Sequence, residues 1–170
     1  MKHLKKSSLL AFLMILAMFF AVSCDVAQEE DVTDTENEPS VFIDVPDNLI
    51  GTWEFNGQWT ESYTITKDTF SSAGSYAGDS AKVYKTDDKS GYIYIKYTKA
   101  ANADWTYSET APDVGKWYAV HYKDLTDSTL KLSGAYKADG KSATATIEEA
   151  KAEFTVDNGY FAGYSELEKK

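Results

Sequence analysis

Period-two alternation, repeated along the chain and punctuated by turn residues, limits the folds open to this sequence. Trp59, Glu61, Tyr63 and Ile65 alternate with Thr60, Ser62, Thr64 and Thr66. Ile93, Ile95 and Tyr97 alternate with Tyr92, Tyr94 and Lys96, and Leu130, Leu132, Gly134 and Tyr136 alternate with lysines and small residues. Successive side chains of a strand point to opposite faces, so each run reads as a half-buried strand. The run Lys116 to Tyr122 is apolar on both faces and reads as a strand covered on both sides, in the sheet interior or beneath a helix.

Turn signals separate these runs. Asn56-Gly57 is a tight-hairpin signal after Trp53-Glu54-Phe55. Thr66-Lys67-Asp68, Asp87 to Gly91, Asp124 to Ser128 and Asp139-Gly140 divide the later strands. One stretch departs from period two: Ile147, Ala150 and Phe154 have helical spacing, and Thr146 followed by Glu149 fits a capping box, predicting one short helix. A last strand is expected around Thr155 to Gly163. The longest interruption, Lys99 to Gly115, carries Trp105, Tyr107 and Pro112; loops of such length often serve function. The expectation is an all-β domain, an antiparallel up-and-down barrel of about eight strands with one short late helix, since closure removes exposed sheet edges.

The chain begins differently. Lys2, Lys5 and Lys6 precede the uncharged apolar stretch Leu9 to Val22, which ends in Ala21-Val22-Ser23-Cys24. This is the pattern of an export signal. Its last four residues resemble the bacterial lipobox, in which the cysteine is acylated and becomes the new N-terminus; Ala21 stands where most lipoboxes carry leucine. Cys24 is the single cysteine, so no intramolecular disulfide is open to it. Rival readings are an incidental cysteine, a thiol for an intermolecular disulfide, and an uncleaved membrane helix. Residues 1–24 are thus read as a lipoprotein signal, and residues 25–44 as an acidic tether. Seven acids lie between Asp25 and Ser40 with no lysine and no aromatic, which disfavours a packed core and extends the chain. An acidic binding tail is the alternative. Residues 45–170 form the domain, exported and lipid-anchored to the cell envelope, with the outer membrane as the expected location.

Charge narrows the partners. The net charge is −10, and loss of Lys2, Lys5 and Lys6 with the signal would make it −13. No arginine is present. Nucleic-acid recognition leans on arginine forks and a basic surface, so no nucleic-acid partner is expected. Membrane association must come from the lipid anchor rather than from surface charge. All 12 tyrosines and 4 tryptophans lie after residue 45, an aromatic load that favours strands.

Gly51-Thr52-Trp53 resembles the Gly-x-Trp of the lipocalin and calycin group. That resemblance implies a first strand whose tryptophan closes one barrel end, an interior that often holds a small apolar ligand, and a late helix before the last strand. The family's arginine over that tryptophan has no arginine to match it here. More broadly, Cys24, the acidic spacer and the blocks Asp113 to Tyr118 and Glu153 to Phe161 resemble lipocalin-like lipoproteins of spirochaetes, a resemblance that implies location and fold and no particular ligand.

Catalytic patterns are sparse. His121 is the one histidine beyond the signal and no Gly-x-Ser-x-Gly elbow exists, so His121 reads as a packed or hydrogen-bonded residue rather than a general base. No metal site, cofactor or enzymatic activity is expected: one histidine and an acylated cysteine cannot build a zinc site, and the turn carboxylates lack calcium-loop spacing. A glycosidase-type pair among Glu54, Glu61 and Glu109 stays open. Two functions remain. In the first, a small apolar or amphipathic ligand is bound by Trp53, Trp59, Glu61, Tyr63, Trp105 and Trp117, with Glu61 on the inward phase, where it orients a polar head or sits in water at the rim. In the second, a solid barrel binds a host or envelope protein through an exposed ladder of Tyr92 and Tyr94, whose plainer reading is cross-strand packing that covers the sheet. Trp105 and Tyr107 are read as gating the barrel mouth or plugging it.

Overall fold

A computed structural model describes residues 41–57 and 60–170. In chain order it contains β1 (Gly51–Asn56), β2 (Thr60–Ile65), β3 (Phe70–Ser72), β4 (Ala77–Lys85), β5 (Gly91–Ala101), β6 (Tyr107–Ser108), β7 (Trp117–Lys123), β8 (Thr129–Gly134), α1 (Ile147–Glu153) and β9 (Ser165–Lys169). Eight strands close an antiparallel up-and-down barrel: each pairs with the next, β5 passes directly to β7, and β9 pairs with both β8 and β1. The short β6 folds back on β5 as a hairpin.

Register sets what lies inside. Trp53 pairs with Tyr63, Ile65 with Phe70, Gly78 with Tyr97, Val83 with Ile93, Ile95 with Tyr118, Tyr122 with Leu132 and Leu130 with Leu167. Tyr63, Ile65, Ile93, Ile95, Tyr97, Leu130 and Leu132 are inward positions expected from alternation, whereas the inward phase of Tyr118 and Tyr122 belongs to a run apolar on both faces. An eight-stranded barrel is just wide enough for such side chains to fill. At one end the filling is complete: Leu49 and Trp53 have no exposure, and the Trp53 indole N–H donates to the Leu49 carbonyl at 2.9 Å. Over the Trp53 ring, 5.0 Å from its centroid, lies the Lys169 ammonium. Gly51 explains how it gets there. Its φ is +148°, and a Cβ at that position would stand 2.7 Å from Lys169 Cε. Glycine therefore both adopts the backbone and clears the path of the lysine.

Three expectations are corrected. Tyr92 and Tyr94 do point away from Ile93 and Ile95, but they are not exposed, at 9% and 1% accessibility. The outer face of β5 and β7 is roofed. Phe42 meets Tyr94 edge-on at 5.4 Å, Phe161 lies 5.6 Å from Tyr92, and α1 packs on both strands. The last strand is Ser165–Lys169, not Thr155 to Gly163. That earlier stretch serves the helix end: Asn158 Nδ2 donates to the carbonyls of Ala152 (3.1 Å) and Glu153 (2.8 Å), and Gly159 turns the chain at φ +79°. These bonds satisfy two of the carbonyls that a helix terminus leaves unpaired. Finally, the packed unit takes in residues ahead of position 45. Ile43 pairs with Val83, and Asp44 bonds Lys82 at 2.6 Å. The helix begins as expected, with Thr146 and Glu149 forming the full capping box. The export signal, Cys24, most of the acidic tether and Trp59 lie outside the described residues.

Candidate ligand site at the barrel mouth

The two ends of the barrel differ. Around Trp53, Ile65, Phe70, Ile93 and Leu130 the interior is solid, each residue at most 1% exposed. Towards the end where β8 stops at Gly134 and β5 reaches Ala101, it opens into a cavity of about 400 Å³. That volume falls near the lower end of the range of roughly 300–1,000 Å³ usual for ligand sites.

Tyrosine builds this mouth. Tyr97 and Tyr118 stack at 4.8 Å between centroids, and Tyr76 stands edge-on to them at 6.1 and 5.2 Å. Tyr76 in turn stacks on Phe70 at 5.8 Å, and Phe70 meets Tyr63 at 5.7 Å, so one aromatic run leads from the core to the opening. Glycine at position 134 lets two of these phenols approach the β8 backbone. A Cβ there would lie 2.6 Å from the Tyr118 hydroxyl and 3.1 Å from that of Tyr76. The Tyr118 hydroxyl donates to the Ala135 carbonyl at 3.1 Å.

Burial holds the Tyr63, Tyr76, Tyr97 and Tyr118 phenols well above their ordinary pKa, with neighbouring phenols or Glu61 adding to the effect. They stay neutral through the physiological range and can both donate and accept hydrogen bonds. Glu61 is half-buried, one same-face position from Tyr63 toward the β1–β2 hairpin. Its Oε1 accepts the Tyr63 hydroxyl proton and its Oε2 accepts from Ser165 Oγ at 2.6 Å.

The rim is made by the β5–β6 hairpin and the segment after β8. Trp105, 67% exposed, tilts against Tyr136, 62% exposed, at 6.2 Å. Two lysines line the same opening. Lys141 pairs with Glu153 at 3.2 Å, and Lys137 donates to the Asn158 carbonyl at 3.1 Å.

Of the residues expected to bind ligand, the structure brings Tyr63 and Trp105 to this cavity. Glu61 stands beside Tyr63 and is not among the lining residues. Trp53 is registered opposite Tyr63 but belongs to the sealed end, and Trp117 lies half-buried on the outer phase of β7, its backbone bridged to Thr144. Tyr92 and Tyr94 lie beneath the outer roof and offer no free ladder. Sequence reasoning missed Tyr76, Tyr97, Tyr118 and Gly134. The signal for one of them was present: Tyr97 shares the phase of Ile93 and Ile95, whereas Tyr118 lies in a run apolar on both faces, in which Trp117 is the residue expected to face the ligand.

Other groups are engaged elsewhere. His121, 7% exposed, shares a 2.9 Å hydrogen bond with Tyr164 beneath the outer roof, away from the mouth. Burial first, then Lys123, pushes it down to about 4. A second hollow of about 420 Å³ lies by the β7–β8 turn; its Lys131 already bonds Asp124 and Glu166, each at 3.1 Å. Among the described residues, no three His, Cys, Asp or Glu side chains cluster as metal ligands. No family model, curated protein or solved structure matches this chain.

Proposed function

We propose that this chain is a lipid-anchored envelope lipoprotein whose lipocalin-like barrel holds a small amphipathic molecule at its mouth. The observation that carries the binding half is the cavity of about 400 Å³ walled by neutral phenols at the open end of a barrel sealed at the other. Few polar groups on an aromatic wall suit orientation of a ligand whose body is apolar. Because the interior below is solid, the ligand sits at the mouth and does not thread the barrel. The anchoring half rests on the lipobox resemblance at Cys24 and on the acidic spacer that follows. Such a tether holds the mouth clear of the membrane surface.

Native mass spectrometry of the full-length chain purified from an expressing cell tests the binding half. The expected result is a population carrying one small adduct, released on denaturation. Uniform ligand-free mass after exposure to envelope extract counts against it. Labelled palmitate incorporation, abolished in Cys24→Ala, tests the anchor.

The second reading, a surface interaction protein, draws on the exposed Trp105–Tyr136 pair alone, now that Tyr92 and Tyr94 are buried. It predicts partner capture that Trp105→Ala abolishes and that filling the cavity at Gly134 leaves unchanged.

A further inference from the structure

Charge at the mouth runs against charge in the rest of the chain. The net charge is −10, yet the residues lining the cavity include two lysines and no carboxylate. Glu61, the nearest inward acid, has both oxygens engaged by Tyr63 and Ser165. Glu153 is likewise occupied, by the Tyr160 hydroxyl at 2.5 Å and by Lys141 at 3.2 Å. Lys137 differs. None of the ion pairs among the described residues involves it, and its one hydrogen bond goes to the Asn158 carbonyl. Its ammonium lies 5.6 Å from the Tyr160 ring centroid and, after the Tyr160 hydroxyl and Lys141, its charge helps hold the Glu153 carboxyl below its ordinary range. An ammonium has three donors, so two remain for a ligand.

Resting on the reading of the mouth as a ligand site, we propose that the site selects small anionic aromatic compounds of one or two rings. The rings lie against Tyr97, Tyr118 and Trp105, and the anionic group is bound by Lys137. The size limit follows from the cavity volume and from the solid core beneath it. The sign follows from the two lysines, of which one is already neutralised. A cationic ligand of the same shape would meet two ammonium groups and no carboxylate among the lining residues, with Asp139 and Asp104 exposed in the rim segments beside them, and burial of an unpaired charge is costly.

The test uses an isosteric pair, 2-naphthoate and 2-naphthylmethanol, titrated calorimetrically into the full-length chain. The acid is expected to bind about tenfold more tightly than the alcohol, the equivalent of one charge-assisted hydrogen bond. In Lys137→Gln that preference is expected to vanish through weaker binding of the acid, with the alcohol unchanged; Lys137→Arg is expected to keep it. Lys137 is exposed, so neither substitution threatens the fold. Equal affinities in the unmodified chain, or a preference that survives Lys137→Gln, overturn the anionic assignment and leave the ligand site standing. If neither compound binds the folded chain, both the assignment and the site fall together.

Discussion

Alanine at position 134 is expected to close the mouth from below. The added methyl would stand 2.6 Å from the Tyr118 hydroxyl, where ordinary contact begins near 3.4 Å, so that phenol must retreat by about 0.8 Å. Retreat carries it off the Ala135 carbonyl, to which it now donates at 3.1 Å. A lost buried hydrogen bond costs about 1 kcal/mol, and forcing one extra methyl into a packed site adds about 1 kcal/mol or more. A stability loss of about 2 kcal/mol leaves most domains folded, since they start with about 5–15 kcal/mol. The Tyr76 phenol, 3.1 Å from the same point, must shift as well, and the space open to both rings is the cavity. Urea unfolding of Gly134→Ala and calorimetry with 2-naphthoate are therefore expected to diverge: modest destabilisation, with affinity down at least tenfold, or about 1.4 kcal/mol. Full affinity alongside the stability loss would refute the assignment of this cavity as the site. No stability loss would refute the packing argument for the two phenols.

Three further outcomes are expected. Tyr92→Ala removes a ring that contacts His121 at 4.7 Å and Phe161 at 5.6 Å, and is expected to cost about 3 kcal/mol in urea unfolding; a loss below about 1 kcal/mol would restore the exposed-ladder reading. Folding holds His121 down at about 4 against an ordinary 6.5, so between those values the unfolded chain binds a proton that the folded chain does not. Stability is therefore full above about pH 6.5 and falls by about 3 kcal/mol towards pH 4, and His121→Phe is expected to flatten the decline that urea midpoints trace from pH 6.5 to 5. Gly51→Ala is expected to cost about 2 kcal/mol, from the backbone at φ +148° and from displacing Lys169 off Trp53. In a Lys169→Ala background that cost is expected to shrink by about 0.5–1 kcal/mol, and strict additivity would show that the glycine does not serve the lysine.

The barrel was legible because closure asks each strand for one apolar phase, and that phase is written residue by residue in Tyr63-x-Ile65 and Leu130-x-Leu132. The capping box was legible because it is local. Burial on the outer face was not. The alternation at Tyr92 and Tyr94 says which way each side chain points, but their covers come from Phe42 and Phe161, far away in sequence. The last strand escaped for the opposite reason. Ser165–Lys169 carries a single inward apolar residue, Leu167, and takes its place from pairing with β8 and β1 rather than from its own composition. The mouth was half legible. Tyr97 continues a visible inward phase, whereas Tyr118 lies in a run apolar on both faces, Tyr76 enters from a turn and Gly134 acts by what it lacks.

Trp105 supports the mouth on separate grounds. It sits at φ +63°, in the left-handed region, at a cost of roughly 1–2 kcal/mol for an L-residue. Its ring returns little of that through burial, being 67% exposed and touching a Tyr136 that is itself 62% exposed. Nor does the turn depend on it. Asn102 and Thr106 close the hairpin by a 2.7 Å backbone bond, and the Asp104 carboxylate accepts from both the Thr106 amide (3.1 Å) and hydroxyl (2.6 Å). Glycine or asparagine would meet the same backbone demand at lower cost. Backbone strain that folding does not use tends to collect at binding sites, and this one holds a large aromatic ring over the opening of the cavity. The left-handed backbone at Trp105 and the cavity are independent features, and they meet at the same opening.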